Sequence, residues 1–280
     1  MPFHVPIDEA RKRFPNYTFI KALTASEQKA AFHVQDKNGE DLCLKIVNPN
    51  FGLDRVPREV EAMLKVKHPN VVEFVEYSLS VKRDGSLYYI IENFVEGTDL
   101  TAELGKPWDH TRAAEFFAAL LDGLNELRRA NVVHRDLKPS NVRVRADGEP
   151  VIIDFGLARH LDLPDITKTG ALVGTPLYFA PEQFTGERKY IDHRTDLFAV
   201  GILLYSALVG KHPFDAATHD FNALADAIKN SEEYLSDPGF AALPAPWKLV
   251  VKKLLSKQRE HRFNDAAQAA SVVRKAGGLT

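Results

Sequence analysis

The sequence predicts an α+β protein of two lobes: a small lobe built on an antiparallel sheet with one helix, then a larger, mainly helical lobe. Three observations predict it. The first third of the 280 residues divides into short strand-like runs separated by turn signals. From Asp109 onward, apolar residues recur at helical spacing instead. A composition 45% hydrophobic and 26% charged is that of an ordinary globular chain with apolar material enough for two cores. We set the boundaries at an N-terminal extension over residues 1–16, an N-lobe over 17–94 and a C-lobe over 95–280. The join falls near 93–97, and a cleft is expected between the lobes.

In order, the strand-like runs are YTFIKAL, AAFHVQD, DLCLKIV, VVEFVEYSL and LYYIIENF, with turn signals at KNGED and RDGS. One helix interrupts them over residues 55–67, where Val56, Val60, Met63 and Leu64 share a face. In TRAAEFFAALLDGLNELRRA, Phe116, Phe117, Leu120, Leu121, Leu124 and Leu127 form an apolar stripe. Asp109 or Thr111 serves as its N-cap, and Asn131 lies near its exit. Further helices are expected over 193–209, 220–230, 245–256 and 264–275.

A net charge of −2 gives no basic excess for nucleic acid or an anionic membrane surface. The single cysteine, Cys43, lies in an apolar run and permits no intramolecular disulfide, so a reducing, cytoplasmic setting is expected. The N-terminus carries charges where a signal peptide needs its apolar core. The longest apolar run, residues 197–209, is shorter than the about 20 residues that span a bilayer, and reads as a buried core helix. The ten histidines lack the spacing of a zinc site. Oligomeric state is not legible in the chain.

Chemistry concentrates in VVHRDLKPSNVRV and VIIDFGLAR. Asp136, Lys138, Asn141 and Asp154 flank short apolar runs there. Phosphoryl transfer needs these residue types: an Asp to orient and deprotonate a hydroxyl, a Lys to offset charge on the moving group, and an Asn and a second Asp to offer oxygens to Mg²⁺. Pro139 constrains the loop and Gly156 allows a sharp turn after the metal ligand.

Together HRDLKPSN, DFG and APE (180–182) resemble the catalytic loop, metal loop and activation-segment end of a eukaryotic-type (Hanks-type) serine/threonine protein kinase, nearest in pattern to bacterial members. The resemblance runs from about residue 17 to 263. It implies a bilobal kinase-like fold, ATP with Mg²⁺ (or Mn²⁺) as cofactors, and a protein substrate with a Ser or Thr acceptor. Lys45 resembles the third-strand lysine that holds the α- and β-phosphates, and Glu59 its ion-pair partner. Asp196 resembles the residue that ties down the HRD backbone, and Arg262 the partner of Glu182. Lys138 and Thr175, in GTPLYFAPE, resemble the serine/threonine-specific pattern. Thr167 and Thr169 are spaced like the autophosphorylated threonines of bacterial members, with Arg55, Arg135 and Arg159 at the basic positions that clasp such a phosphate.

The chain departs from the family's pattern in three places. The nucleotide loop, LTASEQKAAF, contains no glycine, so Ser26, Gln28 and Lys29 are the residues left to approach the phosphates. Glu92 stands at the gatekeeper position, before a hinge from Asn93 to Val95 whose backbone would bond the base. Arg143 stands where an apolar pocket floor is usual. A buried Glu or Arg must be paired or must reach out to water, and the two facing one another is one arrangement that satisfies both. Asp99 resembles the acidic residue after the hinge that accepts from ribose or contacts substrate. Two rival readings follow from these departures: a pseudokinase acting as a nucleotide-binding or scaffolding module, and a small-molecule kinase, which GTPLYFAPE disfavours.

Overall fold

In the computed structural model, the described residues are 3–48, 56–78, 88–155, 176–185, 188–218 and 220–279. They divide into two units. One takes those within Met1–His68 and Val72–Val95, the other those within Pro69–Val71, Glu96–Gly156 and Pro164–Thr280.

The first unit is a five-stranded antiparallel sheet of β1 (Thr18–Ala22), β2 (Lys29–Gln35), β3 (Asp41–Val47), β4 (Phe74–Ser78) and β5 (Tyr88–Asn93), in the order β1-β2-β3-β5-β4. Four of these strands fall within their expected runs, and β2 begins one residue before its run, at Lys29. The helix expected over 55–67 is described over Val56–Met63, with Val60 and Met63 buried. Strand alternation gives the sheet two distinct faces. Phe32 and Val34 of β2, Leu42, Leu44 and Ile46 of β3, and Ile91 of β5 form one buried cluster.

That cluster is completed by Val5 and Ala10, from the stretch expected to be an extension. Residues Ile7–Arg13 form an additional helix, so among the described residues the sheet unit carries two α-helices rather than one. We name them α1 (Ile7–Arg13) and α2 (Val56–Met63). Pro6 precedes α1, Asp8 and Glu9 lie in its first turn and Arg11, Lys12 and Arg13 in its last, as the helix dipole favours. Phe14 then packs edge-on against Tyr89, ring centroids 5.0 Å apart. The signal was present in IDEARKRF, but at seven residues it is short for a periodicity reading.

The second unit is helical apart from a three-stranded sheet of β6 (Thr98–Asp99), β7 (Val142–Val144) and β8 (Pro150–Ile152). Its long helix α3 (His110–Arg129) starts at Asp109, whose carboxylate accepts from Arg112 N–H at 2.9 Å. All six stripe residues are buried, each such side chain contributing about 1.5–3 kcal/mol. Asn131 stops the helix in the left-handed region, φ 57°, and Val132 N–H returns to the Leu127 carbonyl at 2.9 Å.

α3 packs on α4 (His193–Val209) and on α8 (Ala266–Ala276), with α5 (Phe221–Asn230), α6 (Pro238–Ala242) and α7 (Ala245–Leu254) between them in sequence. α4 is buried from Thr195 to Leu208, which is why it reads as apolar all round. Gly201 lies where α4 meets the end of α7: a Cβ there would stand 2.9 Å from side-chain atoms of Leu254 and Leu255.

Candidate active site

The exit of α3 delivers the chain into the HRD segment. His134 is fully buried, and its N–H and that of Arg135 both donate to the Asp196 carboxylate, at 2.8 Å each. Burial pushes the Asp196 carboxyl up while these two donors and His134 oppose the shift. His134 Nε2 lies 3.0 Å from the Ile153 carbonyl and must donate there, since a carbonyl only accepts. Its Nδ1 then accepts from Asp136 N–H at 3.3 Å. Arg135 takes a left-handed φ of 62°, and its carbonyl accepts from Gln183 Nε2 at 2.9 Å.

This frame presents three of the predicted residues together. Lys138 Nζ is 3.0 Å from Asp136 Oδ2. Asn141, itself buried, donates from Nδ2 to the Asp136 carbonyl at 2.7 Å and to Asp136 Oδ2 at 3.2 Å. Ile153 N–H bonds the Asn141 carbonyl at 2.9 Å, so the residue before Asp154 is stitched to the catalytic loop. Asp154 follows with φ 56°, a strained region for a non-glycine residue that occurs often at functional sites.

With its amide nitrogen spent on Asp136, Asn141 has its oxygen as the group to offer a cation. Asn141 and Asp154 are all-oxygen donors, which suits a hard divalent ion that keeps waters and substrate phosphates as further ligands. Among the described residues no group of three or more His, Cys, Asp or Glu could hold a metal ion.

In the sheet unit, Lys45 is 6% exposed and Glu92 3%. Their side chains form an ion pair, Lys45 Nζ to Glu92 Oε1. Register explains it: Cys43 is opposite Glu92 and Lys45 opposite Ile90, so the two charges are diagonal neighbours on one face. Arg143 has partners of its own. It lies opposite Asp99, donates to Asp99 Oδ1 at 2.7 Å and also bonds the Gly97 carbonyl. The facing pair that the sequence allowed is thus replaced by two separate pairs. Gly97 has φ 132°, and a Cβ there would lie 2.1 Å from the Val144 carbonyl oxygen, so only glycine fits this approach.

At the hinge, Asn93 N–H bonds Glu73 O at 2.9 Å and Phe94 N–H bonds Asp41 O at 3.0 Å. The Phe94 ring stacks on His33 at 3.8 Å. In the glycine-free loop, two N–H groups serve the turn itself: Ser26 N–H bonds Lys29 O at 2.9 Å and Gln28 N–H bonds Ser26 Oγ at 3.2 Å. The turn is also held from outside, with Phe3 N–H on Ser26 O and Asn48 N–H on Gln28 O, both at 2.8 Å.

Glu59 lies on α2, but its side chain is outside the described residues, as are Arg55, Arg159, Thr167, Thr169 and Thr175. Register signals that a diagonal carboxylate faces Lys45 were available in the two strand runs, but only once their pairing is known.

The protein kinase domain family matches residues 28–273. The chain belongs to this family. This kinase domain is 30% identical over 270 residues to the probable serine/threonine-protein kinase PknB of Lactococcus lactis, covering 92% of this chain and 41% of that protein. It is 31% identical over 268 residues to the serine/threonine-protein kinase PkaA of Streptomyces coelicolor (91% and 47%), and 36% over 172 residues to the serine/threonine-protein kinase pkn3 of Myxococcus xanthus (58% and 30%). It spans less than half the length of each. The relatives named here are serine/threonine-protein kinases of bacteria, and the family uses ATP and a divalent metal. No helix among the described residues is long and apolar enough to cross a membrane.

Proposed function

We propose that this kinase domain transfers the γ-phosphoryl group of ATP to a Ser or Thr hydroxyl of a protein substrate. The observation that carries the proposal is the Asp136 carboxylate, held in a half-buried loop with Lys138 and Asn141 within 3.2 Å of Oδ2. Asp136 orients the acceptor hydroxyl and takes its proton as the hydroxyl oxygen bonds to phosphorus and the bond to the β-phosphate oxygen breaks. Lys138 offsets the charge of the phosphoryl group in flight. Asn141 and Asp154 hold Mg²⁺ or Mn²⁺, which supplies charge neutralisation on the phosphates. Lys45 holds the α- and β-phosphates, Asn93 and Val95 offer backbone groups to the base, and Ser26, Gln28 and Lys29 close over the phosphates.

Residues 17–94 are the nucleotide-binding lobe in this reading and 95–280 the catalytic lobe, with Val5 and Ala10 of the 1–16 extension packed onto the first. Asp99, whose carboxylate is already engaged by Arg143, serves ribose or substrate with its remaining accepting capacity. Phosphate on Thr167 and Thr169, clasped by Arg55, Arg135 and Arg159, orders the activation segment and brings Glu59 toward Lys45. A buried lone Cys43 supports a reducing, cytoplasmic setting.

Incubation with labelled ATP, Mg²⁺ and a generic protein substrate tests the reading. Transfer is expected, falling about 10²–10⁴-fold in Asp136→Asn. Mass spectrometry is expected to find phosphate on Thr167 and Thr169, with lower activity in the double alanine variant. Equal transfer by wild type and Asp136→Asn would overturn the assignment.

A further inference from the structure

Glu92 sits where its surroundings are least hospitable to a charge. It is 3% exposed, between strands β3 and β4, opposite Cys43 on one side and Phe74 on the other. Ile90 and Ile91 precede it on β5, and both are buried. A carboxylate in that position is tolerated only with a charge partner, and Lys45, also buried, supplies one.

The pair is built entirely from the sheet. Lys45 and Glu92 are 47 residues apart in sequence, yet they lie on adjacent hydrogen-bonded strands whose register runs unbroken from Leu42↔Asn93 to Val47↔Tyr88. Neither residue is on a helix or a loop. The ammonium is therefore referred to β5 by an element that shifts only if the ladder itself breaks.

We propose that Glu92 is a positioning residue for the kinase reaction. From β5 it holds the protonated Lys45 side chain at the place where the nucleotide phosphates are engaged, as a counter-ion supplied by the sheet. The proposal rests on the reading that Lys45 holds those phosphates. Its consequence is a lysine whose placement does not depend solely on a carboxylate delivered by α2.

The test uses the purified kinase domain without nucleotide. Glu92→Gln keeps shape and hydrogen-bonding capacity while removing the charge. Without that charge the buried amine spends more time neutral and nucleophilic. Acylation of Lys45 by a small anhydride at neutral pH, followed by mass spectrometry, is expected to rise several-fold. Cys43, directly opposite Glu92 and buried, is the internal control for a loosened sheet: its alkylation is expected to stay unchanged. Unchanged Lys45 acylation, or Lys45 and Cys43 rising together, overturns the proposal.

In steady-state assays E92Q is expected to lower kcat/KM for ATP about tenfold. An unchanged or increased value means that Glu92 is neutral toward the lysine or competes with ATP for it, and sinks the positioning role. Lys45→Met tests the reading beneath: if that variant keeps full transfer, Lys45 does not hold the phosphates and the catalytic role of Glu92 falls with it, while the acylation result still reports the pair. Should E92Q fail to fold, Glu92→Met is compared with Glu92→Met/Lys45→Met. Recovery of folding in the double variant supports the pair, and equal instability of the two overturns it.

Discussion

His212 shows how a single half-buried side chain ties the segment around Leu177 to pH. Its Nε2 lies 2.9 Å from the Leu177 carbonyl, to which it donates, and its Nδ1 accepts from Phe214 N–H at 3.1 Å. An imidazolium has no acceptor to give, so this geometry requires the neutral ring. Burial pushes the imidazole down to about 4, against a usual 6.5. Between those values the unfolded chain binds a proton that the folded one refuses, so stability rises with pH from about 4 to 6.5. The full effect is about 3 kcal/mol. Denaturant unfolding across that range should show it, and subtracting the His212→Gln curve isolates it from Asp196, whose raised carboxyl acts with the opposite sign. Parallel curves for the two proteins would rule out this role.

At the scale of elements, the loop between β1 and β2 lacks glycine where the proposed function puts the phosphates. Ser26 and Gln28 spend N–H groups on the turn, so under that proposal side chains supply more of the anion contact. Lys29 opens β2 opposite Val47, and Ala31 is opposite Lys45, so alternation puts Lys29 on the face that bears Lys45. Gln28→Ala/Lys29→Ala is expected to raise the ATP Kd several-fold, about 1 kcal/mol, measured by calorimetry; an unchanged Kd argues against compensation by these side chains. The strands themselves were legible because β-branched and aromatic runs ended at strong turn signals. α1 was not, because a seven-residue helix shows one apolar face too briefly and acquires its meaning only against the sheet cluster it completes.

Across the whole molecule, α4 is the hub that joins distant segments to the catalytic loop. Its Asp196 holds His134 and Arg135, and its Thr195 hydroxyl donates to Glu182 Oε1 at 2.9 Å. Glu182 receives both guanidinium arms of Arg262, at 2.7 and 2.8 Å, across 80 residues of sequence. Arg262 further donates to the carbonyls of Ser256 and Arg194, at 2.9 Å each. Removing one partner of so buried a pair costs about 3–5 kcal/mol, so Arg262→Ala should unfold at distinctly lower denaturant. Arg262→Lys should rescue little, since an ammonium cannot reproduce the fork. A lysine variant as stable as wild type would show that the charge alone suffices.

By itself the sequence determined the order of the main strands and helices after residue 16 and the position of the HRD, DFG and APE motifs, and hence singled out Asp136, Lys138, Asn141 and Asp154 as candidates for the chemical centre. Periodicity, turn chemistry and motif spacing are local properties, and local properties are written along the chain. Only the tertiary structure decided that Glu92 meets Lys45 rather than Arg143, that Arg143 clamps Asp99 and Gly97, and that Val5 and Ala10 complete the sheet's core. Those outcomes depend on strand register and on which face is buried. Register is set by the whole sheet at once, since a slip of one residue would turn every side chain to the opposite face.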